Sequence, residues 1–351
     1  MHKLNGKVAV VTGASKGIGA SIAEHLAAEG AAVVVNYASS RSGADAVVAR
    51  ITEKGGKAIA IQGDVSRPED IQRLFSETKK AYGKLDVLVN NAGVYEFAPL
   101  EAITPEHIQR QFNLNVTGLL LTTQEAVKLI GTEGGSIINI GSIVGAMPAP
   151  QASTYSASKA AVDAITVSLS QELGPRKIRV NSLNPGMVET EGLRASGLHE
   201  GEFREQQDRE TPLGRIAKPE DIALAATFLA GDDARWITGQ VIVAAGGKRM
   251  SGFRPNLRLD GGFDLCSART GAMPRQLSVW FWFSNRMVWC GGALSRAPQT
   301  RCRSGRLASP LAARSGAAAC RVSAHAKSAR ECRSERADPV SRTQGLRIYP
   351  L

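Results

Sequence analysis

The stretch Thr12-Gly13-Ala14-Ser15-Lys16-Gly17-Ile18-Gly19 follows the apolar run Val8 to Val11 and opens a helical pattern. Glycine has no Cβ, so a turn with three glycines lets the backbone approach a ligand closely. The amides and dipole at the start of the helix that follows favour an anion such as a pyrophosphate. The spacing GxxxGxG differs from the GxGxxG fingerprint, and the turn lacks the GK[ST] ending of a P-loop. On this turn alone, a phosphate site and a merely tight turn both remain open.

On either side of this turn, short β-branched runs alternate with helical patterns as far as residue 250. Such alternation predicts a parallel sheet covered by helices on both faces. One helix is predicted from Ile18 to Glu29, with Gly30 placed to end it. The fold class is therefore α/β, a Rossmann-type doubly wound sheet in a single domain of residues 1–250. Seven strands are predicted: Val8 to Thr12, Ala32 to Tyr37, Ala58 to Gly63, Val87 to Asn90, Gly135 to Ile140, Arg179 to Asn184 and Val241 to Ala244.

The end of the second strand bears on which dinucleotide is bound. An adenosine ribose with a free 2′-hydroxyl is usually held by an acidic side chain about 20 residues past the glycines. Here no carboxylate appears until Asp45. The potential donors to a 2′-phosphate are instead Asn36, Ser39, Ser40 and Arg41, with Lys16 from the glycine turn. This pattern favours NADP(H) over NAD(H), with an ordinary solvated loop as the alternative.

Tyr155 and Lys159 stand four residues apart in an amphipathic helical pattern. In a helix, they project from nearly the same side, about 6 Å apart along the axis. Because a tyrosine titrates at about 10, proton transfer near neutral pH requires a stabilised phenolate, which a neighbouring ammonium provides. A surface Tyr/Lys pair is the alternative.

Taken together, these residues resemble the short-chain dehydrogenase/reductase family in its single-domain form. The resemblance covers about residues 4–249. It rests on seven features in the expected order: TGASKGIG (12–19), Asp64-Val65, Asn90-Asn91-Ala92-Gly93, Asn115, Ser142, Tyr155 with Lys159, and Pro185-Gly186.

The resemblance implies an oxidoreductase that moves hydride between a nicotinamide and a carbonyl or secondary alcohol. Ser142 would bind the substrate oxygen, and Tyr155 would act as general acid/base. Lys159 would lower the pKa of Tyr155 and hold the nicotinamide ribose, while Asn115 would position a water that connects Lys159 to solvent. Asn90 would brace the central sheet near the cofactor, or serve the sheet alone, and Asp64 would contact adenine or only cap a turn.

The predicted cofactor contacts come from the glycine turn, the ends of the strands and the helix of Tyr155. They are Gly13, Ser15, Lys16, Gly17, Ile18, Gly19, Asn36, Tyr37, Ser39, Arg41, Asp64, Val65, Asn91, Ala92, Gly93, Tyr155, Lys159, Pro185, Gly186 and Val188.

The substrate is left open by the sequence. It should be selected by residues after Ser142 (Ile143, Val144, Met147), residues after the NNAG segment (Val94, Tyr95, Phe97) and the stretch 187–213, which has the composition of a mobile lid. His199 in that stretch is either an acid/base candidate or a solvated loop histidine. The segments 211–223 and 236–242 are similar to 3-oxoacyl carrier-protein reductases and to glucose or small-alcohol dehydrogenases. The connection 131–135 lacks a basic patch for an acidic carrier protein, although Lys128 and Arg176 remain docking candidates.

The last hundred residues have a different composition from the rest. Residues 1–250 carry 26 Lys+Arg and 27 Asp+Glu, whereas 251–351 carry 17 and 5, so the tail accounts for the net charge of +11. All five cysteines also lie there, as do 16 arginines against one lysine. Nothing after Ser251 resembles the family, and the composition predicts a disordered tail. Translated sequence that was not selected to fold is the leading interpretation, and nucleic-acid binding through arginine and tryptophan is the rival.

Several other classes are disfavoured. The first residues show no secretory signal, no apolar run approaches the roughly 20 residues of a membrane span, and no CxxC pair indicates a zinc site. A cytoplasmic enzyme without a metal is therefore expected, acting as a homotetramer or homodimer by family resemblance. A regulator that senses NADP(H) without turnover is the alternative of another class, although a sensor would not need the Asn115, Ser142, Tyr155 and Lys159 set.

Overall fold

A parallel sheet of seven strands forms the centre of the molecule. The computed structural model describes residues 2–195, 197 and 199–248, so the predicted tail of residues 251–351 lies outside the described residues. The strands are β1 (Val8–Val11), β2 (Ala32–Tyr37), β3 (Lys57–Gln62), β4 (Val87–Asn90), β5 (Gly135–Ile140), β6 (Ile178–Pro185) and β7 (Val241–Ala244). All seven predicted strands are confirmed, with ends shifted by one residue in β1, β3 and β6.

The α-helices of the described residues lie between these strands. They are α1 (Gly17–Ala28), α2 (Arg41–Glu53), α3 (Pro68–Tyr82), α4 (Pro105–Phe112), α5 (Leu119–Leu129), α6 (Ser153–Leu173), α7 (Glu191–Ala195), α8 (Gly201–Glu210) and α9 (Pro219–Ala230). Helix α1 begins one residue earlier than predicted, at the second glycine of the turn. Among these helices, none has both the length and the apolar character needed to cross a membrane.

The strand order is β3-β2-β1-β4-β5-β6-β7, with every neighbouring pair parallel. The chain therefore reverses its direction of winding between β1 and β4. In such sheets, ligands bind at this switch point, outside the carboxyl ends of the strands. The glycine turn after β1 and the NNAG segment after β4 meet there.

The core has one layer on each face of the sheet. Because side chains alternate along a strand, Ala9 and Val11 pack into the layer beneath α1 and α9, while Val8 and Val10 pack into the layer beneath α3 and α5. Both faces of the central strands are therefore buried, which explains their nearly continuous valine and isoleucine content.

Candidate active site

The glycine turn is too crowded to accept side chains. Gly13 has a φ of +61°, and a Cβ there would lie 2.9 Å from the Cα of Ala92. A Cβ on Gly19 would lie 2.7 Å from the carbonyl oxygen of Gly13. Among the described residues, no side chain caps the start of α1, and its first turn carries no carboxylate. The amides at the start of α1 are therefore available to an anion, so this end of the turn fits a dinucleotide pyrophosphate.

The turn is fastened to the end of β4. The side-chain amide of Asn91 donates to the carbonyl oxygens of Thr12 (2.8 Å) and Gly13 (3.1 Å). The Thr12 hydroxyl in turn accepts from the backbone amides of Asn91 and Ala92, each at 3.0 Å. The side chain of Asn91 thus holds the two sides of the switch point together.

Asn36 requires a correction. The sequence predicts that it donates to a 2′-phosphate, but its side chain is buried and donates to the carbonyl oxygens of Ile61 (3.3 Å) and Gly63 (3.0 Å). Its side-chain oxygen, Oδ1, accepts from the backbone amide of Gly13 at 3.2 Å. Asn36 therefore holds the glycine turn through Gly13. It is not a donor to a phosphate, because both hydrogens of its side-chain amide are already used within the protein.

Arg41 and Lys16 remain at the predicted phosphate position. Both side chains are exposed, and Arg41 forms an ion pair with Asp45 at 3.5 Å. Arg41 begins α2, which packs closely on the glycine turn, since a Cβ on Gly43 would lie 2.7 Å from the carbonyl oxygen of Ser15. Two cations and the exposed Ser39 thus lie on the two segments that meet at this contact, and this charge fits a phosphate.

Asp64 forms a turn at the end of β3. One carboxylate oxygen, Oδ1, accepts from the amide (2.9 Å) and the hydroxyl (2.8 Å) of Ser66. Asp64 therefore caps this turn, as the turn-capping alternative predicts, and the adenine contact stays a prediction.

Ser142, Tyr155 and Lys159 come together at the carboxyl ends of β5 and the start of α6. Burial raises the pKa of Tyr155, and a hydrogen bond from Ser142 lowers it less strongly. The Lys159 ammonium lies 5.9 Å from the centroid of the Tyr155 ring and donates to the carbonyl oxygen of Ile140 at 2.8 Å. The expected lowering of the Tyr155 pKa by Lys159 is not found: burial raises this pKa most strongly, and the hydrogen bond from Ser142 is the contribution that lowers it.

The side chain of Lys159 is buried. Burial lowers its pKa to about 8, and the carboxylate of Asp163, one turn further along α6, opposes that shift. Asp163 accepts from the amide of Asn184 at 2.9 Å and the hydroxyl of Ser182 at 2.8 Å, both on β6. Sequence reasoning missed Asp163, although its spacing of four from Lys159 was a usable signal.

Asn115 lies in a π-helical turn, Asn113–Gly118, between α4 and α5. Such turns occur often at functional sites, and this one was not predicted. The side chain of Asn115 accepts from the amide of Val94 (2.9 Å) and donates to its carbonyl (2.9 Å) and to the hydroxyl of Ser158 (3.0 Å). It therefore clamps the segment after the NNAG sequence, and the water-positioning role stays a prediction.

Asn90 belongs to a buried polar chain that crosses two strands. Its side-chain amide donates to Asn139 (2.9 Å) and Thr123 (3.0 Å), and Asn139 donates to Thr166 (2.9 Å). This chain links α5, β4, β5 and α6, so the bracing role predicted for Asn90 is observed. Its partners were missed because they are 27 to 49 residues apart in the sequence.

The segment after β6 begins beside the glycine turn. Gly186 donates to Ala244 at 3.2 Å, and a Cβ on Gly17 would lie 3.3 Å from the methyl group of Thr190. The predicted lid region then contains α7 and α8, with Glu189 paired to Arg194 (2.9 Å) and Arg204 (3.6 Å). His199 lies between the two helices and contacts Glu200 at 3.1 Å.

Comparisons with known proteins agree on one family. A family model described as enoyl-(acyl carrier protein) reductase matches residues 13–249. The chain is 57% identical over 249 residues to an uncharacterised oxidoreductase of Methylorubrum extorquens, covering 71% of this chain and 100% of that protein. It is 41% identical to versicolorin reductase 1 of Aspergillus parasiticus, covering 70% and 97%. A short-chain dehydrogenase of Burkholderia cenocepacia, solved in complex with NADP, superposes with a TM-score of 0.66 at 37% identity, covering 70% of this chain and 99% of that one.

Proposed function

Because the chain belongs to the short-chain dehydrogenase/reductase family of NAD(P)-dependent oxidoreductases, we propose that it interconverts a ketone and a secondary alcohol, with NADP(H) as cofactor and Tyr155 as general acid/base. The observation that carries this proposal is the meeting of Ser142, Tyr155 and Lys159 at the carboxyl edge of the sheet, beside the glycine turn. A dinucleotide sensor would need the glycine turn but not this group.

When bound, a nicotinamide would supply the hydride for reduction of the carbonyl. The Tyr155 phenol gives its proton to the carbonyl oxygen, and the hydroxyl of Ser142 donates to the same oxygen and orients it. Burial raises the pKa of Tyr155 and so favours the protonated phenol, which suits the direction of reduction. Lys159 retains donor hydrogens besides the one given to Ile140, and these would hold the nicotinamide ribose.

The preference for NADP(H) is proposed from Lys16, Ser39 and Arg41. Comparing Arg41→Ala with the wild type for kcat/KM with NADPH and NADH tests it. We expect the NADPH/NADH ratio to fall about 10-fold or more, since a charged hydrogen bond is worth about 1.5–3 kcal/mol. An unchanged ratio in Arg41→Ala and in Lys16→Ala would contradict the assignment.

The catalytic proposal is tested with Tyr155→Phe. This variant keeps the ring and removes the hydroxyl group that gives the proton. We therefore expect NADPH binding to persist while ketone reduction falls about 1000-fold, within the range typical of general acid catalysis. Titration calorimetry and NADPH oxidation measure the two quantities separately. Full turnover in the variant would refute the role of Tyr155, whereas a folded wild type that binds NADPH and reduces no ketone would favour the sensor.

Reduction of a 3-oxoacyl group on a carrier protein is a second candidate, because the description of the matching family model names a carrier-protein substrate, although an enoyl one and not a 3-oxoacyl one. Of the docking candidates, Lys128 pairs with Glu125 at 2.6 Å and Arg176 donates to the carbonyl of Val127 at 2.8 Å. A 3-oxoacyl group presented on carrier protein and on a short pantetheine thioester distinguishes the candidates. An enzyme that docks the carrier protein should strongly prefer the carrier-protein substrate to the pantetheine thioester.

A further inference from the structure

The segment 94–98, between β4 and α4, is held along one side by amide clamps. Asn115 makes two hydrogen bonds to the backbone of Val94, both at 2.9 Å. Gln111 makes the same pair to Glu96, accepting at 3.4 Å and donating at 3.2 Å. Every second residue is therefore fixed through its backbone to the π-helical turn or to α4.

The clamp continues at the next alternate residue. The amide of Ala98 donates to the carbonyl oxygen of Gln151 at 2.9 Å, just before α6. The side chain of Glu96 pairs with Arg110 at 3.0 Å and His107 at 3.7 Å, both on α4. Glu96, the one charged residue of this segment, is thus directed to α4.

The two residues between the clamped ones are aromatic, and they contact Tyr155. The ring centroids of Tyr95 and Phe97 lie 6.2 and 6.3 Å from that of Tyr155, and 6.2 Å from each other. Tyr95 is 52% exposed and Phe97 is 55% exposed. Large apolar side chains half open to water beside a reactive group are typical of a binding surface rather than of a core.

We propose that Tyr95 and Phe97 form, with the ring of Tyr155, an aromatic surface that selects ketones carrying a planar aromatic ring close to the carbonyl. This inference rests on the proposed function of Tyr155 and adds the substrate class. Tilted and edge-to-face contacts with a flat ring are attractive because of the quadrupoles of the rings, and a saturated ring of similar size cannot make them.

The position of the surface also fits a substrate at Tyr155. The hydroxyl of Tyr95 lies against Gly192 of α7, where a Cβ would be only 3.1 Å away. The aromatic pair thus lies between the catalytic tyrosine and the helix that follows β6. A ring seated there would lie next to the side chain of Tyr155.

The test uses the full chain with NADPH and two ketones that differ only in aromaticity, 2-tetralone and 2-decalone. Neither carbonyl is conjugated to a ring, so intrinsic reactivity is closely matched. We expect the wild type to prefer 2-tetralone about 10-fold or more in kcat/KM. Tyr95→Leu and Phe97→Leu should each reduce this preference about 3- to 10-fold, the usual range for an aromatic pair.

Tyr95→Phe and Phe97→Tyr are the matched controls, because they retain the rings and should retain the preference. A wild type without preference, or a preference unaffected by both leucine variants, would overturn the inference and leave the proposed function standing. Retained NADPH binding in each leucine variant excludes misfolding as the cause of a change.

A second measurement separates the two proposals. Should the wild type reduce neither ketone, the binding of 2-naphthol and decahydro-2-naphthol is compared by titration calorimetry in the presence of NADPH. A preference for 2-naphthol that Tyr95→Leu reduces would support the aromatic surface although the proposed function had failed. Equal binding of the two alcohols would overturn it.

Discussion

Ser142 and burial shift the pKa of Tyr155 in opposite directions, and the contribution of Ser142 can be measured. The hydrogen bond from Ser142 lowers the pKa of Tyr155, while burial raises it. Oxidation of an alcohol requires the phenolate, so its rate should rise with pH until Tyr155 is deprotonated. In Ser142→Ala the lowering contribution is lost, and we expect the rising limb to move to higher pH, with a lower maximum rate. Profiles of kcat/KM for alcohol oxidation from pH 6 to about 11 check this, and a limb that moves to lower pH would contradict it.

Lys159 should make stability depend on alkaline pH. Its pKa is lowered from 10.5 to about 8 in the folded protein. Between these values, the unfolded chain binds more protons than the folded one, so the free energy of unfolding should rise with pH through this window. The full shift corresponds to about 3 kcal/mol as an upper limit.

Lys159→Met removes the titrating group and should remove that rise. Denaturant unfolding of both proteins at several pH values from about 7 to 11 measures the difference. Since all other titrating groups are shared, the wild type minus variant difference reports Lys159. Parallel curves would mean that Lys159 keeps an ordinary pKa.

At the scale of elements, the junction between β1 and α1 requires glycine for steric reasons. In Gly19→Ala, the new methyl group would meet the carbonyl oxygen of Gly13 and the side chain of Asn91, which are themselves hydrogen-bonded. We expect overpacking to cost about 1–3 kcal/mol of stability and NADPH binding to weaken at least about 10-fold, which 1.4 kcal/mol would produce.

Gly131→Ala is the matched control, because nothing lies within 4 Å of a Cβ at that position among the described residues. It should leave both NADPH affinity and the thermal midpoint unchanged. Equal effects of the two substitutions would show that the glycine turn is not set by these contacts.

The strands and the motif residues were predictable from sequence because their signals are local. Each predicted strand is a β-branched run, and the turn, the NNAG segment and the Tyr155/Lys159 pair each occupy a few consecutive residues. The roles of Asn36 and Asn91 could not be predicted from the sequence. Asn36 bonds to residues 23 to 27 positions away and Asn91 to residues 78 and 79 positions away, so only the folded chain shows which hydrogens are already used.

At the scale of the whole molecule, the family match ends at residue 249, just after the final strand. The final strand, β7, pairs with β6 from Ser182↔Val241 to Pro185↔Ala244. Beyond it, Gly246 accepts from Leu213 at 3.1 Å, and Lys248 pairs with Glu210 at 3.0 Å. These contacts attach the end of the domain to the last residue of α8 and to the segment that follows it, so the chain is expected to need residues up to 248 for both the sheet and the site.

Two truncations test this boundary. A chain of residues 1–250 keeps β7 and the Lys248 contacts, carries a net charge of −1, and should match the full chain in NADPH-dependent kcat/KM. A chain ending at residue 240 loses the β6–β7 ladder, and since each ladder hydrogen bond contributes about 1 kcal/mol, its thermal midpoint should fall by roughly 10 °C. Differential scanning calorimetry with a ketone assay compares the three chains. The arginine-rich residues 251–351 would be required for catalysis only if the 1–250 chain were folded and bound NADPH but was inactive.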